Sequence, residues 1–144
     1  MHVQIVPQRV VSSSPDQLIV EAPIGKVRWK LDKDCGVIGA PVGGVNAGGF
    51  GGGGCDGGAL SANLGGLSVG GTFYDVIRGH AYFGREVTVR ATYVDGTTAE
   101  VVTHNGLWML VDRPDPELYS PASRVATVEA ISSTGQVLDR VRVP

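Results

Sequence analysis

The sequence predicts an all-β protein, and more specifically an antiparallel β-sandwich of roughly seven to nine strands with Greek-key-like connections. Short stretches of alternating apolar and polar residues are typical of half-buried strands, and turn sequences separate them about every ten residues. No stretch shows the apolar spacing of three and four residues that an amphipathic helix requires. At 144 residues, the chain has the size of a single domain with one core.

The N-terminal third predicts short strands. Three apolar or β-branched stretches come first, at residues 3–6, 10–11 and 18–20. In residues 26–31, Val, Trp and Leu alternate with Lys and Arg, which indicates a strand with one buried and one solvated face. Trp29 is therefore predicted to anchor the core.

Residues 36–71 are predicted to form a long glycine-rich loop or insertion. They contain 16 of the 22 glycines, and so few side chains cannot hold a segment in place by packing. Cys35 and Cys55 lie just before this segment and within it, so we predict a disulfide between them. On the chain-entropy model, closing a loop of about 20 residues stabilises a fold by about 3 kcal/mol. Two free buried thiols, or a metal bound by both sulfurs, are the alternatives.

The C-terminal half carries the strongest strand pattern. The predicted strand covers residues 86–94, and polar and apolar side chains alternate from Glu86 to Tyr93. The predicted buried face consists of Val87, Val89, Ala91 and Tyr93. Asp95-Gly96 and Asn105-Gly106 are predicted hairpin turns, because glycine adopts a positive φ at little cost. An apolar strand around Trp108, a second predicted core anchor, and a hairpin over residues 124–143 complete the sandwich.

Four features follow one another along the chain. They are a tryptophan strand with Trp29, then Cys35, then the glycine run Gly51–Cys55, and then a V-x-V-x-x-x-Y-x-D-G hairpin at Val87–Gly96. This arrangement resembles the exported C-terminal β-sandwich domains of actinobacterial membrane proteins, including anti-sigma-factor-like ones. Residues from Arg85 onward also resemble small immunoglobulin-like modules of bacterial surface proteins. The resemblance implies a secreted or cell-surface β module with no known reaction.

Two glycine-containing stretches match the sequence patterns of catalytic motifs without the predicted secondary structure that those motifs require. Gly66–Gly70 fits G-x-S-x-G, but its Ser68 would be a nucleophile only on a turn between a buried strand and a helix. Residues 49–54 fit G-x-G-x-x-G, but no helix follows to bind a phosphate. We therefore expect no enzyme activity and no cofactor, with a serine hydrolase acting through Ser68 as a remote alternative.

Metal ligands show no recognisable spacing either. The isolated candidates are His2, His80, His104, Asp32, Asp34 and Asp56. No pair of histidines has the spacing of a zinc site, and the aspartates form no calcium-binding loop. No metal site is predicted.

Binding is expected at the glycine segment and at the aromatic residues that follow it. The selected residues are Gly49, Phe50, Gly51, Tyr74, Tyr82 and Phe83. Glycine leaves backbone donors and acceptors uncovered, so this segment can dock against another β edge. Aromatic side chains supply the apolar area that dominates interface energetics. A protein partner or a second copy of the chain is the expected ligand, and a glycan is the other class considered.

Composition narrows the function classes. A net charge of −2 and a pI near 5.8 argue against a nucleic-acid-binding or anionic-membrane-binding surface. No apolar run reaches the roughly 20 residues that span a bilayer, and no signal peptide is recognisable, so an exported protein would contain this chain as a mature or excised part. The predicted function is a non-enzymatic exported structural or protein-interaction module. The alternative is an extracytoplasmic sensory or regulatory domain of a membrane-anchored protein.

Overall fold

A computed structural model describes eight stretches of the chain. They are residues 4–5, 7–23, 25–30, 37–38, 47–51, 58–69, 72–113 and 125–142. These residues form antiparallel β-strands joined by turns, with no helix among them, so the predicted all-β antiparallel fold is confirmed. Within the same stretches, no helix has the length and apolar character needed to cross a membrane.

The described strands pair into three antiparallel sheets. In chain order the strands are β1 (Gln4–Ile5), β2 (Arg9–Ser14), β3 (Gln17–Ala22), β4 (Gly25–Lys30), β5 (Val37–Ile38), β6 (Ala47–Gly51), β7 (Asn63–Val69), β8 (Thr72–His80), β9 (Thr88–Tyr93), β10 (Thr98–Val102), β11 (Leu107–Arg113), β12 (Val125–Ile131) and β13 (Val137–Arg142). The central sheet has the order β1-β11-β8-β7-β6. The C-terminal sheet has the order β10-β9-β12-β13, and the N-terminal sheet has the order β2-β3-β4-β5.

The central sheet carries buried side chains on both of its faces. On one face, Ile77 and Trp108 belong to an apolar cluster that includes β9, β10 and β12 of the C-terminal sheet. On the other face, Val76 and Met109 belong to a second cluster with β3 and β4 of the N-terminal sheet. The protein therefore has two apolar cores where the sequence predicted one. The reason is that residues 107–111 are apolar at successive positions, which suits a strand covered on both sides.

The predicted core residues are buried. Val87, Val89, Ala91 and Tyr93 are 3%, 1%, 1% and 2% exposed. Trp29 and Trp108 are 2% and 0% exposed, which confirms both as core anchors, although they lie in different cores.

Both predicted glycine turns are present. Asn105 and Gly106 have φ angles of 55° and 77°, and the flanking His104 and Leu107 exchange backbone hydrogen bonds of 2.9 and 3.0 Å. Two successive positive φ angles define a type I′ turn, which Asn-Gly favours. This turn leads the chain from the C-terminal sheet to the central one. Gly96, with a φ of 90°, closes the hairpin between β9 and β10.

The N-terminal chain passes from the central sheet to the N-terminal sheet at Pro7 and Gln8. β1 pairs with the end of β11, and β2 then pairs with β3. Between them, the Gln8 side chain donates from Nε2 to the carbonyl of Met109 and accepts at Oε1 from the N–H of Val111, both at 2.8 Å. The amide of Gln8 therefore continues the pairing of β11 where β1 ends.

Part of the glycine-rich segment forms strands, which corrects the prediction of a loop across residues 36–71. β7 pairs with β8 along its whole length, and β6 pairs with β7. Backbone hydrogen bonds need no side chains, so attachment to the buried strand β8 can order glycines that packing could not. Cys35 and Cys55 lie outside the described residues, and their disulfide stays a prediction.

Candidate functional site

The structure separates the residues that the sequence selected for binding. Gly49 and Gly51 lie on β6, and Gly49, Leu67 and Tyr74 are direct neighbours across β6, β7 and β8. Tyr74 is only 9% exposed and belongs to the core against the N-terminal sheet. It therefore supports the β6 region from within. The side chain of Phe50 lies outside the described part of the structure.

Tyr82 and Phe83 lie beyond the opposite end of β8. Tyr82 is 48% exposed, whereas Phe83 is partly buried against the core of the C-terminal sheet. Tyr74 and Tyr82 are eight residues apart on a largely extended chain, a separation of roughly 26 Å. The six selected residues therefore do not form one continuous patch.

The β6 strand forms one edge of the central sheet. Among the described strands it pairs with β7 alone. Its sequence is Ala-Gly-Gly-Phe-Gly, and neither β6 nor β7 contains a charged residue. An edge strand exposes unpaired N–H and C=O groups, which form a template for another strand.

The other described edges carry the features that prevent such pairing. Charged residues lie on β2 (Arg9), β10 (Glu100) and β13 (Asp139, Arg140, Arg142). β2 also has a register shift between Val10 and Ser12, while β1 and β5 are two residues long. Charges, bulges and short length are the usual protection of an edge. Among the described edges, β6 combines greater length with the absence of charge.

A second group of polar side chains surrounds His80 at the end of β8. The Ser61 Oγ lies 2.9 Å from His80 Nδ1, and His80 Nε2 lies 2.7 Å from the carbonyl oxygen of Gly58. A carbonyl can only accept, so in the neutral ring Nε2 carries the proton and the Ser61 hydroxyl donates to Nδ1. The ring of Tyr82 stacks on His80, with centroids 4.6 Å apart and an interplanar angle of 11°.

This Ser61–His80 pair is built for structure rather than for nucleophilic attack. Ser61 is 4% exposed, and its Oγ also accepts the backbone N–H of His80 at 3.0 Å. Gly79 lies so close that a Cβ there would be 1.9 Å from the Ser61 carbonyl oxygen. The Ser61 hydroxyl is therefore buried and already engaged by both the ring and the backbone of His80. The pair instead fastens residues 58–62 to β8 and supports the exposed ring of Tyr82.

Ser68 does not lie in the setting that the G-x-S-x-G motif requires. It is inside β7, where its direct neighbours are Gly48 on β6 and Phe73 on β8. The nucleophile of that motif lies on a sharp turn between a strand and a helix. A residue within an antiparallel strand has neither the turn nor the helix.

The sequence analysis missed several buried polar residues, among them three charged ones on β8 and β11. Asp75, Arg78 and Asp112 are 3%, 1% and 0% exposed. Burial lowers the pKa of Arg78. The alternation of side chains along β11 could have identified Asp112 as buried. It lies on the same face of the strand as Trp108 and Leu110, which belong to one core. An acid in phase with a buried apolar pattern is a signal for an interior carboxyl group.

No metal site is evident in the part of the chain that the structure describes. Within it, no three or more His, Cys, Asp or Glu side chains are grouped to hold an ion. His80 is engaged with Ser61 and Gly58, as described above. His2, Asp32, Asp34 and Asp56 lie outside the described residues.

Comparison with known proteins yields no relative. No protein-family model matches the chain, and no curated protein or solved structure is detectably similar. The resemblance to exported actinobacterial domains stays a prediction, and the proposal for function rests on geometry.

Proposed function

We propose that this protein is a non-enzymatic interaction module that associates by adding a strand to β6. The observation that supports the proposal most directly is the edge itself. Its five residues include three glycines and no charge, and among the described strands β7 is the one that is hydrogen-bonded to it.

The chemistry of an edge strand explains why this surface binds. Along such a strand, successive N–H and C=O pairs point alternately to the neighbouring strand and outward. Because three of the five residues of β6 are glycine, the strand carries few side-chain atoms of its own over these groups, which suits close approach of another backbone. Strand addition draws its affinity from these main-chain hydrogen bonds.

The occupant that we propose is β6 of a second copy of the chain. Antiparallel pairing centred on Gly49 would align Gly48 with Phe50 and Ala47 with Gly51. This arrangement brings no like charges together, because β6 has none. The contact would be isologous, with two-fold symmetry, which is the commonest arrangement in homo-oligomers.

The finer fold assignment and the location of the protein belong to the same proposal. We assign the stacked antiparallel sheets to the immunoglobulin-like, Greek-key class of sandwiches and place the protein in a secreted or cell-surface setting. The resemblance described above supports both. A sensory ectodomain, the alternative function, would require an anchor in the full-length gene product.

Two neighbouring proline variants, Gly48→Pro and Gly49→Pro, test the edge. Adjacent N–H groups of a strand point in opposite directions, so one variant removes an outward donor and the other removes a donor to β7. We expect the wild type to dimerise in sedimentation velocity experiments between about 10 μM and about 1 mM, the range of weak pairing. The variant that lacks the outward donor should keep its thermal unfolding midpoint and stay monomeric. The other variant should lose stability.

Two outcomes would contradict the proposal. In the first, the wild type dimerises and a stable proline variant dimerises equally well, so that the contact lies elsewhere. In the second, the wild type stays monomeric throughout. If such a monomer binds a labelled peptide of alternating Thr and Val, the edge accepts a foreign strand and the second-copy occupant is wrong.

A further inference from the structure

Asp75 and Asp112 bring two carboxyl groups together in the protein interior. They are direct cross-strand partners on β8 and β11, so their side chains lie on one face with Cβ atoms about 5 Å apart. That face is the one that packs against the C-terminal sheet, because Ile77 and Leu110 lie in phase with the two acids and belong to its core. Asp75 is 3% and Asp112 is 0% exposed.

Tyr93 connects this pair to the opposite sheet. Its hydroxyl donates to Oδ2 of Asp112 at 2.5 Å. The other carboxyl oxygen of Asp112, Oδ1, is buried and has no hydrogen-bond partner. A buried ionised carboxylate with an unsatisfied oxygen is costly. The arrangement therefore favours a neutral Asp112.

We propose that Asp112 is a proton-operated lock between the central and C-terminal sheets. With the proton bound, the neutral carboxyl group accepts the Tyr93 hydroxyl and the two sheets stay closed. Loss of the proton places a carboxylate beside Asp75 in the interior. The Tyr93 hydrogen bond favours that carboxylate, but the cost of burying the charge next to Asp75 outweighs it, so the packing of the two sheets loosens at β9. Tyr93 is the last residue of β9, and its backbone also closes the β9–β10 hairpin, so the hairpin is the element that responds.

The electrostatic surroundings support this assignment. Burial, opposed by the Tyr93 hydrogen bond and assisted by the charge of Asp75, raises the pKa of Asp112 to about 8. Burial, with Asp112, Asp75 and Asp95, also raises the pKa of Tyr93, which stays a donor throughout this range. Arg78, in phase with Val76 on β8, faces the N-terminal sheet instead.

The direction of the pH dependence follows from these pKa values. An unfolded aspartate titrates near 4, whereas Asp112 in the folded protein titrates at about 8. Between these values the folded protein holds a proton that the unfolded chain has lost. Its stability therefore falls as pH rises through this window and levels off above it, by up to about tenfold in the unfolding equilibrium constant per pH unit.

Asp112→Asn tests the lock, because asparagine keeps the shape of the neutral acid and an acceptor for Tyr93. Urea unfolding would be measured from about pH 5 to about pH 9. We expect a smaller pH slope than in the wild type and higher stability than the wild type at the alkaline end. Amide exchange at Tyr93 and Gly96, compared at equal pH, should be faster in the wild type there.

Tyr93→Phe gives a second test in case Asp112→Asn does not fold. It removes a hydrogen bond that holds the pKa of Asp112 down, so the window of falling stability should extend to higher pH. Equal pH slopes in the wild type and Asp112→Asn, or an unmoved window in Tyr93→Phe, would overturn the proposal. Hairpin amide exchange that is the same in the wild type and Asp112→Asn at alkaline pH would overturn the lock as well.

Discussion

At the residue scale, three polar side chains act as strand partners where the backbone ladder is interrupted. The amide of Gln8 binds the backbone of β11. The Ser61 hydroxyl accepts the N–H of His80, and the Thr103 hydroxyl accepts the N–H of Val87 and donates to its carbonyl. Buried backbone groups must be satisfied by some partner. These side chains therefore satisfy backbone groups at strand ends, and Gln8 and Thr103 do so where the chain passes from one sheet to another.

Gly79 provides a test of the packing between residues 58–62 and β8. A Cβ at Gly79 would meet backbone and side-chain atoms of Ser61, so Gly79→Ala should destabilise the fold by about 3 kcal/mol, the upper part of the usual range for overpacking. Gly96→Ala is the matched control, since its φ is positive but the space around it is open, and it should cost about 1 kcal/mol. Urea unfolding measures both. Equal losses would show that Ser61 is not packed over Gly79.

Single residues show what the sequence could and could not predict about the interior. Alternation alone identified the buried residues of β9 and both tryptophans. The same alternation places Asp112 on a buried face of β11, although the sequence analysis predicted no buried acid there. The contact between Ser61 and His80 joins residues 19 positions apart. It depends on how the end of β8 meets residues 58–62, which no local pattern reveals.

At the element scale, β8 and β11 determine the layering of the molecule. They are direct neighbours in the central sheet, and each contributes side chains to both cores. Because β8 and β11 are buried on both faces, the outer strands are the ones in contact with solvent. β6 is held to this interior through β7, so its edge is presented on a supported sheet rather than on a free loop.

Tyr82 and Phe83 test how the segment after β8 contributes. The sequence alone predicts that replacing either with serine weakens association and spares the fold. The structure places both far from β6, so neither change should alter dimerisation. Tyr82→Ser should change stability by less than about 1 kcal/mol because the ring is exposed. Phe83→Ser should cost about 2 kcal/mol, since this ring packs on the core. Dimerisation lost in a folded Tyr82→Ser variant would move the contact surface to this end of the sheet.

The glycine-rich segment shows where prediction of elements failed. Propensity argues against strands in residues 47–51 and 63–69, because glycine loses much entropy on ordering and offers no side chain to pack. The structure pairs residues 63–69 with β8, and residues 47–51 with residues 65–69 of β7. Strand formation there depends on a distant partner strand, so the local sequence could not reveal it.

At the scale of the whole molecule, the three sheets have several edge strands. These strands differ in whether they carry charged residues. Glu100 protects β10, and Asp139 with two arginines protects β13. The small net charge of −2 opposes association only weakly. An uncharged β6 edge is therefore the described surface best suited to pairing with a second copy of the chain.

Hydrogen exchange at the backbone amides of β6 reports whether this edge pairs with a second copy of the chain. Amides of residues 47–51 would be followed by NMR in dilute and in concentrated protein. In dilute protein, we expect the amides directed at β7 to be protected and the alternating outward ones to exchange freely. In concentrated protein the outward amides should become protected as well. Outward amides that exchange at the same rate in the dimer as in the monomer would contradict strand addition at β6.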